Sequence, residues 1–496
     1  MNLSLIMIKS GIVFFTYINS IIYPMKIERQ VKTILSKIFI FFFIISCQQD
    51  SPPNIILIMA DDQGWGDVGY NGHEHLKTPN LDEMAQNGAV FSRFYSAGSV
   101  CSPTRASVMT GRHPNRMGIC SANCGHVKDQ EITLGEMVKE KGYRTGHFGK
   151  WHLGTLTRDV LDANRGGKNE NVIHYAPPWD HGFDVSFATE SKVPTWDPMV
   201  TPPISAEDVK ASLIEGDSFG TFYWTGPGQR VTENLKGDDS RIIMDRVIPF
   251  IEESVSQKQP FLSIVWFHAP HLPVLTGEKF KNLYSNLSED QQHYYGVISA
   301  LDKQVGRLRN KLKDLGVADN TLVFYTSDNG PEGLAPIGRT QGLTNGLKGR
   351  KRSLHEGGIR VPGIIEWPSK INPGTHVKAP CFTSDYFPTI AHILGIDIKK
   401  YKRPYDGENL VPYWMGQSDK RTKPLAFQFQ KQFALIDNDY KLYGNIQEPL
   451  QLYNLKYDIG ELTDLSIAKP EKLNVLRTLY QEWNLTIQNS KTGIDY

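Results

Sequence analysis

The chain has 496 residues, an apolar fraction of 40% and a formal net charge of +1, from 54 basic and 53 acidic side chains. This length and composition predict a soluble globular protein with one large domain and a smaller one. The balanced charge argues against a surface that coats nucleic acid or another polyanion, so we expect any anionic ligand to be recognised locally.

The first segment of the chain is predicted to be an export signal. A basic stretch that begins at Met25 is followed by the apolar run IFIFFFII and then by SC, an order typical of signal peptides. The ending IISC resembles a bacterial lipoprotein signal, in which Cys47 would carry the lipid; an ordinary cleaved signal or an uncleaved anchor are the alternatives. We therefore expect residues 1–47 to be the signal, with Met25 as the suspected true start. The protein would be exported to the periplasm or the cell surface, with membrane contact only through Cys47.

Apolar runs that end in polar residues predict three buried strands. They are NIILIMADD from Asn54, PFLSIVWFHAPH from Pro260 and NTLVFYTSDNG from Asn320. The segments TPNLDEMAQNG, ITLGEMVKEKG (ending at Gly142) and 288–315 predict helices between them. This alternation is typical of an α/β domain with a mostly parallel sheet flanked by helices, and functional residues then gather beyond the strands' carboxyl ends.

The pattern changes after about residue 395. The short runs KPLAFQFQ, FALIDNDYKLYGN and PLQLYNLKYD are followed by an amphipathic stretch at 470–488. They predict a small antiparallel sheet with a closing helix. We place the large domain at 52–395 and a C-terminal subdomain at 396–496.

The stretch CSPTRAS begins at Cys101 and predicts the start of a helix. Ser102 is suited to the N-cap and Pro103 to the first helical position, while Gly111 is a natural stop. Cys101 and Arg105 are four residues apart and would share one face, close to a helix N-terminus that favours anions. The alternative is a buried cysteine beside a surface arginine.

Hard oxygen ligands follow two of the predicted strands. Asp61 and Asp62 end the first strand, and Asp328 and Asn329 end another. Side chains of this kind suit Ca²⁺ or Mg²⁺. Each pair taken alone could instead be a turn or a helix cap.

Further polar candidates lie in three motifs. GHFGKWHLG places Lys150 and His152 two residues apart, on one side of an extended segment. FHAPHLP carries His268 and His271 beyond a strand, and KRSLHEGGIRVP carries Lys351. Taken singly, these residues could be structural histidines or surface lysines.

The five cysteines are too few for a disulfide scaffold. Cys120 and Cys124, in CSANC, are close enough in the sequence to pair in an oxidising compartment. Cys101 and Cys381 are left without obvious partners.

Five motifs together carry a family resemblance: DDQGWGD, CSPTRAS with MTGR, GKWHLG, SDNG and EGGIRVP, in this order. From Asn54 to the C-terminal region, the chain resembles the type I, formylglycine-dependent sulfatases of the alkaline-phosphatase-like superfamily. The resemblance includes bacterial polysaccharide and glycosaminoglycan sulfatases. It implies hydrolysis of sulfate esters on sulfated carbohydrate, either algal polysaccharide or glycosaminoglycan oligosaccharides.

The resemblance also implies a cofactor and a covalent modification. Cys101 would be oxidised to formylglycine (3-oxoalanine) by a formylglycine-generating or sulfatase-maturating enzyme, and its hydrate would be the nucleophile. The ligands of a Ca²⁺ ion, with Mg²⁺ as the alternative, would be Asp61, Asp62, modified Cys101, Asp328 and Asn329.

The remaining implied roles concern the sulfate group. Arg105 would steady the hydrate, and Lys150 and Lys351 would bind sulfate oxygens. His152 would assist proton removal, and His271 would protonate or bind the leaving oxygen. His268 is left as a candidate subsite residue.

Two other functions remain open at this point. Phosphate and sulfate are similar tetrahedral anions, so a phosphonate monoester or phosphodiester hydrolase of the same superfamily is the nearest enzymatic alternative. A non-catalytic protein that binds sulfated sugars, in which Cys101 stays a thiol, is the alternative from another class.

Overall fold

The computed structural model describes residues 51–203, 213–446 and 448–496. The predicted signal at 1–47, with Cys47 and Met25, lies outside the described residues, so the signal and the lipid stay predictions. Across the part of the chain that is described, no helix is both long and apolar enough to span a bilayer.

The principal element of the fold is a ten-stranded mixed sheet, whose order is β12-β2-β11-β9-β1-β8-β4-β5-β6-β7. Its strands are β1 Asn54–Ala60, β2 Ala89–Phe91, β4 Arg144–Lys150, β5 Val185–Thr189, β6 Trp224–Gly226, β7 Gln229–Arg230, β8 Phe261–Trp266, β9 Thr321–Ser327, β11 Gly363–Glu366 and β12 Thr375–Val377. The strands β3 Phe94–Tyr95, β10 Arg360–Val361 and β13 Cys381–Phe382 form a separate three-stranded sheet. The central strands β9, β1, β8, β4 and β5 all run parallel, so their carboxyl ends share one edge.

The central strands are buried on both faces, as their sequences predict. Along β1, Ile55 and Leu57 pack into the apolar core on one side of the sheet. Ile56 and Ile58 pack into the core on the other side, because successive side chains of a strand point in opposite directions.

Helices cover both faces. They are α1 Pro79–Asn87, α2 Cys101–Thr110, α3 Leu134–Lys139, α4 Asp239–Ser256, α5 Glu278–Lys281, α6 Glu289–Asp314, α7 Glu356–Ile359, α8 Tyr386–Ile393, α9 Val411–Trp414 and α10 Pro470–Lys491. Helices α1, α4 and α6 contribute to the core that contains Ile56, and α2, α3 and α8 contribute to the core that contains Ile55. The predicted α/β class with a mostly parallel sheet is confirmed.

A small antiparallel sheet follows near the C-terminus, as predicted. Its strands, in order, are β14 Leu425–Phe429, β15 Gln432–Asp437, β16 Tyr440–Asn445 and β17 Gln451–Asn454. One face packs against Leu476 and Tyr480 of α10. The other face packs against Tyr95 and Val100, close to the start of α2. Residues Pro53–Tyr496 form one compact unit, and the boundary at residue 395 stays a prediction.

Two predicted helix boundaries were wrong. Helix α2 begins at Cys101, and its N-cap is Val100 rather than Ser102. Pro103 is therefore the third helical residue, where its missing N–H still costs no intrahelical hydrogen bond. Helix α3 ends at Lys139, and turns continue to Gly142, whose φ is +75°. The stop at Gly111 is confirmed, with φ +68° and its N–H donating to Ser107 O.

Candidate active site

Side chains from four adjacent parallel strands meet at the carboxyl edge of the sheet, and the loop after β8 supplies His271. Asp61 and Asp62 follow β1, whereas Asp328 and Asn329 follow its neighbour β9. Lys150 is the last residue of β4 and pairs across the site with Asp61. The topology thus gathers residues that are up to 268 positions apart.

A compact cluster of potential ligand atoms surrounds the start of α2. One atom from each of Asp61, Asp62, Cys101 and His271 lies within 4.8 Å of the others. Cys101 Sγ is 3.5 Å from Asp61 Oδ1, and the cysteine is only 2% exposed.

Buried cations neutralise the carboxylates. Lys150 Nζ donates to Asp61 Oδ2 at 2.6 Å. Lys351 Nζ lies 2.7 Å from Asp62 Oδ1 and 3.2 Å from Glu332 Oε2. Burial alone would lower the pKa of Lys351, but the charge of Asp62 and other nearby acidic groups raises it well above its ordinary value. Lys150 and Lys351 therefore stay protonated.

Arg105 binds two of the strand-end carboxylates from α2. Its Nη2 donates to Asp328 Oδ2 at 2.7 Å and lies 3.3 Å from Asp61 Oδ2. Its Nη1 donates to Lys150 O at 3.1 Å, and the guanidinium lies 5.1 Å from the centre of the Trp266 ring. Cys101 and Arg105 thus share one face of α2, and both contact Asp61.

Most of the predicted ligand residues offer oxygen atoms that suit a hard divalent cation. Asn329 Nδ2 donates to Asp62 Oδ1 at 2.7 Å, while its Oδ1 is buried and has no hydrogen-bond partner. A buried oxygen without a donor beside two carboxylates is what a bound cation would satisfy.

Asp328 is oriented differently from the other predicted ligands. Its Oδ1 accepts from the backbone N–H of Asp62 at 3.1 Å, and its Oδ2 accepts from Arg105. Burial, followed by the charge of Asp61, raises the pKa of Asp328 to about 7. His271 and not Asp328 completes the compact cluster described above.

The unmodified thiol is poorly suited to nucleophilic attack. Burial, then the charges of Asp328 and Asp61, raise the pKa of Cys101 far above its ordinary value. A thiol in this position stays protonated at neutral pH, and a protonated thiol is a weak nucleophile.

The site contains two neutral histidines. Burial lowers the pKa of His271 to about 4, although Asp62 opposes the shift. Its Nδ1 lies 2.6 Å from Leu272 O, so Nε2, at 3.6 Å from Asp62 Oδ2, faces the site. Burial, then the charge of Lys150, lowers the pKa of His152 well below its ordinary value.

The spacing of Lys150 and His152 predicted that both lie on one side of an extended segment, and this prediction was wrong for His152. The strand ends at Lys150, and His152 adopts a left-handed conformation with φ +58°. Its Nε2 lies 3.0 Å from Asn123 Oδ1, and its Nδ1 is buried without a partner.

His268 is a structural residue. It is fully buried, with Nδ1 at 2.8 Å from Asp239 Oδ2 and Nε2 at 2.7 Å from Thr189 Oγ1. Both ring nitrogens are used within the protein, which argues against the subsite role considered from the sequence.

Sequence reasoning missed Glu332 and Asn123. Glu332 contacts Lys351, and Asn123 contacts His152. Each lies in a loop, and an isolated polar residue in a loop gives no sequence signal of its own. Asn123 lies inside CSANC, between Cys120 and Cys124, whose free thiols are in contact with each other.

Comparison with known proteins gives a family match and similar named proteins. Residues 53–396 match the family model described as Sulfatase. The N-acetylgalactosamine-6-sulfatase of Sus scrofa is 33% identical over 480 residues, which are 86% of this chain and 84% of that protein. The steryl-sulfatase of Rattus norvegicus is 29% identical over 459 residues, 78% of this chain and 74% of that protein.

A solved structure matches at a similar level. The crystal structure of Ps i-CgsB in complex with k-i-k-neocarrahexaose superposes with a TM-score of 0.74 at 28% identity, and the match covers 87% of this chain and 93% of that one.

Proposed function

We propose that this chain, which belongs to the sulfatase family and is a sulfuric ester hydrolase, acts on sulfated carbohydrate through a formylglycine made from Cys101. The observation that carries the proposal is the buried ring of charge around Cys101. Asp61, Asp62 and His271 surround its sulfur, and Arg105 and Lys150 lie beside them.

The high pKa of the Cys101 thiol makes the unmodified cysteine a weak nucleophile, so the proposal takes the attacking group from the modified residue. A hydrated aldehyde at this position supplies two hydroxyl groups, one to attack sulfur and one whose collapse to the aldehyde releases sulfate. The N-terminus of α2 and its buried surroundings favour an anion at the same place.

The side chains divide the chemistry among them. Lys150 and Lys351 lie close enough to the cluster to bind sulfate oxygens and to stabilise the charge that develops on them. Arg105 holds the hydrate in position from the same face of α2. Nε2 of His271 faces the site and, in the protonated form of the ring, would protonate or bind the leaving oxygen, while Nδ1 of His152 would accept a proton.

We assign a divalent cation, Ca²⁺ or Mg²⁺, to Asp61, Asp62, Asn329, Asp328 and the modified Cys101. Bound there, it would supply positive charge that polarises the sulfate ester. The buried, unpartnered Asn329 Oδ1 supports this assignment.

The proposed substrate class follows the compared proteins. One relative is named for N-acetylgalactosamine 6-sulfate, and the matched structure was solved with an oligosaccharide. The same proposal includes export directed by the signal at 1–47 and a lipid on Cys47. It also includes a partner enzyme that forms the formylglycine.

The test is sulfate release by protein produced together with a maturation enzyme, across sulfated algal oligosaccharides and glycosaminoglycan fragments. We expect release from one class, and none from a Cys101→Ala variant. Phosphate release from matched aryl phosphate or phosphonate esters in place of sulfate would favour the phosphonate hydrolase instead.

Mass spectrometry tests the modification separately. The peptide from Phe94 to Arg105 should be about 18 Da lighter than its cysteine form. An unshifted peptide despite a supplied maturation enzyme would contradict the formylglycine proposal and favour a sugar-binding protein.

A further inference from the structure

A cavity opens beside the proposed sulfate site. Its volume is about 670 Å³, and its walls include Lys351 and Arg352. Leu334, Ala335 and Pro336 form an apolar part of the same wall. A cavity of this size and mixed polarity is of the kind that holds a small organic ligand such as a sugar unit.

The backbone fixes Arg352 at this wall. Its N–H donates to Ser99 O at 2.9 Å, two residues before Cys101, and its carbonyl accepts from Gln432 Nε2 at 2.9 Å. Its φ is +74°, a conformation that side-chain-bearing residues rarely adopt. The chain thus holds a cation next to Lys351 at some conformational cost.

Arg352 and Lys351 share a single carboxylate, that of Glu332. Glu332 binds Arg352 Nη1 and also accepts from Nη2 at 3.0 Å, while its Oε2 lies 3.2 Å from Lys351 Nζ. One carboxylate therefore serves two cations. The Arg352 side chain is 56% exposed, against 19% for Glu332, so much of its guanidinium faces solvent.

The neighbouring Arg350 shows the contrast. It lines the same cavity, but its guanidinium donates to four backbone carbonyls, among them Gly333 O and Gly342 O. Arg350 therefore holds the loop together, and Arg352 is left with capacity for a ligand.

We infer that Arg352 binds a second anionic group of the substrate, a sulfate or a carboxylate, on the sugar that occupies this cavity. The inference rests on the proposed function. Glu332 occupies the edge of the guanidinium formed by Nη1 and Nη2, and the other edge, formed by Nε and the second hydrogen of Nη2, matches either anion through two parallel hydrogen bonds. The enzyme thereby prefers polyanionic carbohydrate to singly sulfated substrates.

Kinetics on matched substrates test the inference. The probes are 4-nitrophenyl sulfate, N-acetylgalactosamine 6-sulfate, N-acetylgalactosamine 4,6-disulfate and a 6-sulfated disaccharide with a uronate. For Arg352→Gln we expect kcat/KM to fall by about tenfold or more on a substrate with a second anion, as for loss of a charge-assisted pair. The two monoanionic probes should change by less than twofold. The substrate with the largest fall in kcat/KM, the disulfate or the uronate disaccharide, shows whether Arg352 binds a sulfate or a carboxylate.

Two further variants sharpen the result. Arg352→Lys keeps the charge but loses the fork, so it should fall between the wild type and the glutamine variant. Arg307→Gln is the matched control, since Arg307 is a half-exposed arginine paired with Asp245 on another surface. Arg307→Gln should leave kcat/KM unchanged on all four substrates.

Binding separates this inference from the proposed function. Calorimetry on the Cys101→Ala protein measures the affinity for the disulfate and the uronate disaccharide, with and without Arg352→Gln. Arg352-dependent binding without any turnover by the mature enzyme would support the inference and overturn the proposed hydrolysis. Equal loss on all substrates, no loss on any, or no binding of either polyanion would overturn the inference.

Discussion

Charged residues around Cys101 are buried in compensating pairs. Lys150 faces Asp61, Lys351 faces Asp62 and Arg105 faces Asp328. Burying an isolated charge costs far more than burying a paired one, so each partner makes the other tolerable. A substitution that removes one member of a pair leaves the other charge buried without a partner, which destabilises the fold. A loss of activity in such a variant therefore reports both the lost catalytic group and the lost stability.

Asn123 offers a cleaner test, because it acts through His152 and carries no charge. Its Oδ1 accepts from His152 Nε2, which leaves Nδ1 as the free base. We expect Asn123→Ala to lower kcat by about tenfold with little change in KM, the usual size for loss of a group that orients a histidine. Steady-state kinetics on an aryl sulfate measures both.

Asn123→Asp is the matched variant. It keeps the accepting oxygen and tolerates the left-handed backbone at φ +59°. It should retain most of the wild-type kcat. Equal losses for alanine and aspartate, or a rise in KM alone, would contradict a role in orienting His152.

Individual strands explain which parts of the site could be predicted from sequence. The strands β1, β8 and β9 are continuous apolar runs, so their ends, and hence Asp61 and Asp328, could be located by pattern alone. The pairing of Glu332 with Lys351 could not, because it depends on how a long loop folds. The start of α2 was misplaced because Val100 caps it with an extended backbone and no side-chain hydrogen bond.

The approach of β4 to β8 depends on a glycine. Gly149 has φ +104°, and a Cβ there would lie 1.9 Å from Trp266 O. We expect Gly149→Ala to destabilise the fold by roughly 3 kcal/mol or more. The backbone of β8 at Trp266 would have to move away from the new Cβ, and alanine would also be strained at this positive φ. A chemical denaturation midpoint measures this.

Gly142→Ala is the control for conformation alone. Its φ is +75°, but no atom lies within 4 Å of the added Cβ. We expect a loss of only about 1 to 2 kcal/mol. Equal losses at the two positions would mean that the contact with Trp266 is unimportant.

The C-terminal sheet is joined to α7 and to the three-stranded sheet by a buried ion cluster. Lys441 of β16 is fully buried and lies 2.9 Å from Glu356 and 3.0 Å from Glu461. Glu356 also accepts from Tyr95 OH at 2.9 Å. The EGGIRVP motif therefore carries a structural carboxylate in addition to following Lys351.

Replacing the buried cation should be costly. We expect Lys441→Met to remove the cation that Glu356 and Glu461 share, leaving Glu356 paired with Arg360 at 3.5 Å and Glu461 paired with His355 at 3.1 Å, and to destabilise the protein by about 3 to 5 kcal/mol. Lys472→Met is the control, since Lys472 pairs with Asp437 at 2.9 Å with both side chains partly exposed, and should cost at most about 1 kcal/mol. Thermal melting compares them, and similar Tm losses would contradict the prediction.

Asp406 makes the stability of the whole molecule depend on pH. Burial would raise its pKa, but Arg116, which binds it through two nitrogens, lowers it below the ordinary value. Trp483 Nε1 of α10 donates to the same carboxylate at 2.9 Å. The pair therefore stabilises the fold above about pH 4, and this contribution is lost as the pH falls toward the depressed folded value.

The prediction is a Tm difference between wild type and Asp406→Asn that is largest at neutral pH. It corresponds to about 1 to 3 kcal/mol at neutral pH and narrows below about pH 4, where Asp406 begins to protonate in the unfolded wild-type chain while it stays ionised in the folded one. Melting curves from pH 7 to pH 3 measure it. A difference that stays constant over this range would show that the carboxylate's charge does not matter.

The order of the central strands has a consequence for the timing of synthesis. Both neighbours of β1 lie far downstream, and the one that carries Asp328 ends roughly 225 residues after Cys101. At ribosomal speeds of about 5 to 20 residues per second, that interval lasts on the order of 10 to 45 seconds. During it, the nascent CSPTRAS segment has no finished sheet to close over it, whereas the completed fold leaves Cys101 only 2% exposed. A modifying enzyme would have to reach the cysteine before the fold closes over it, so faster translation would lower the modified fraction.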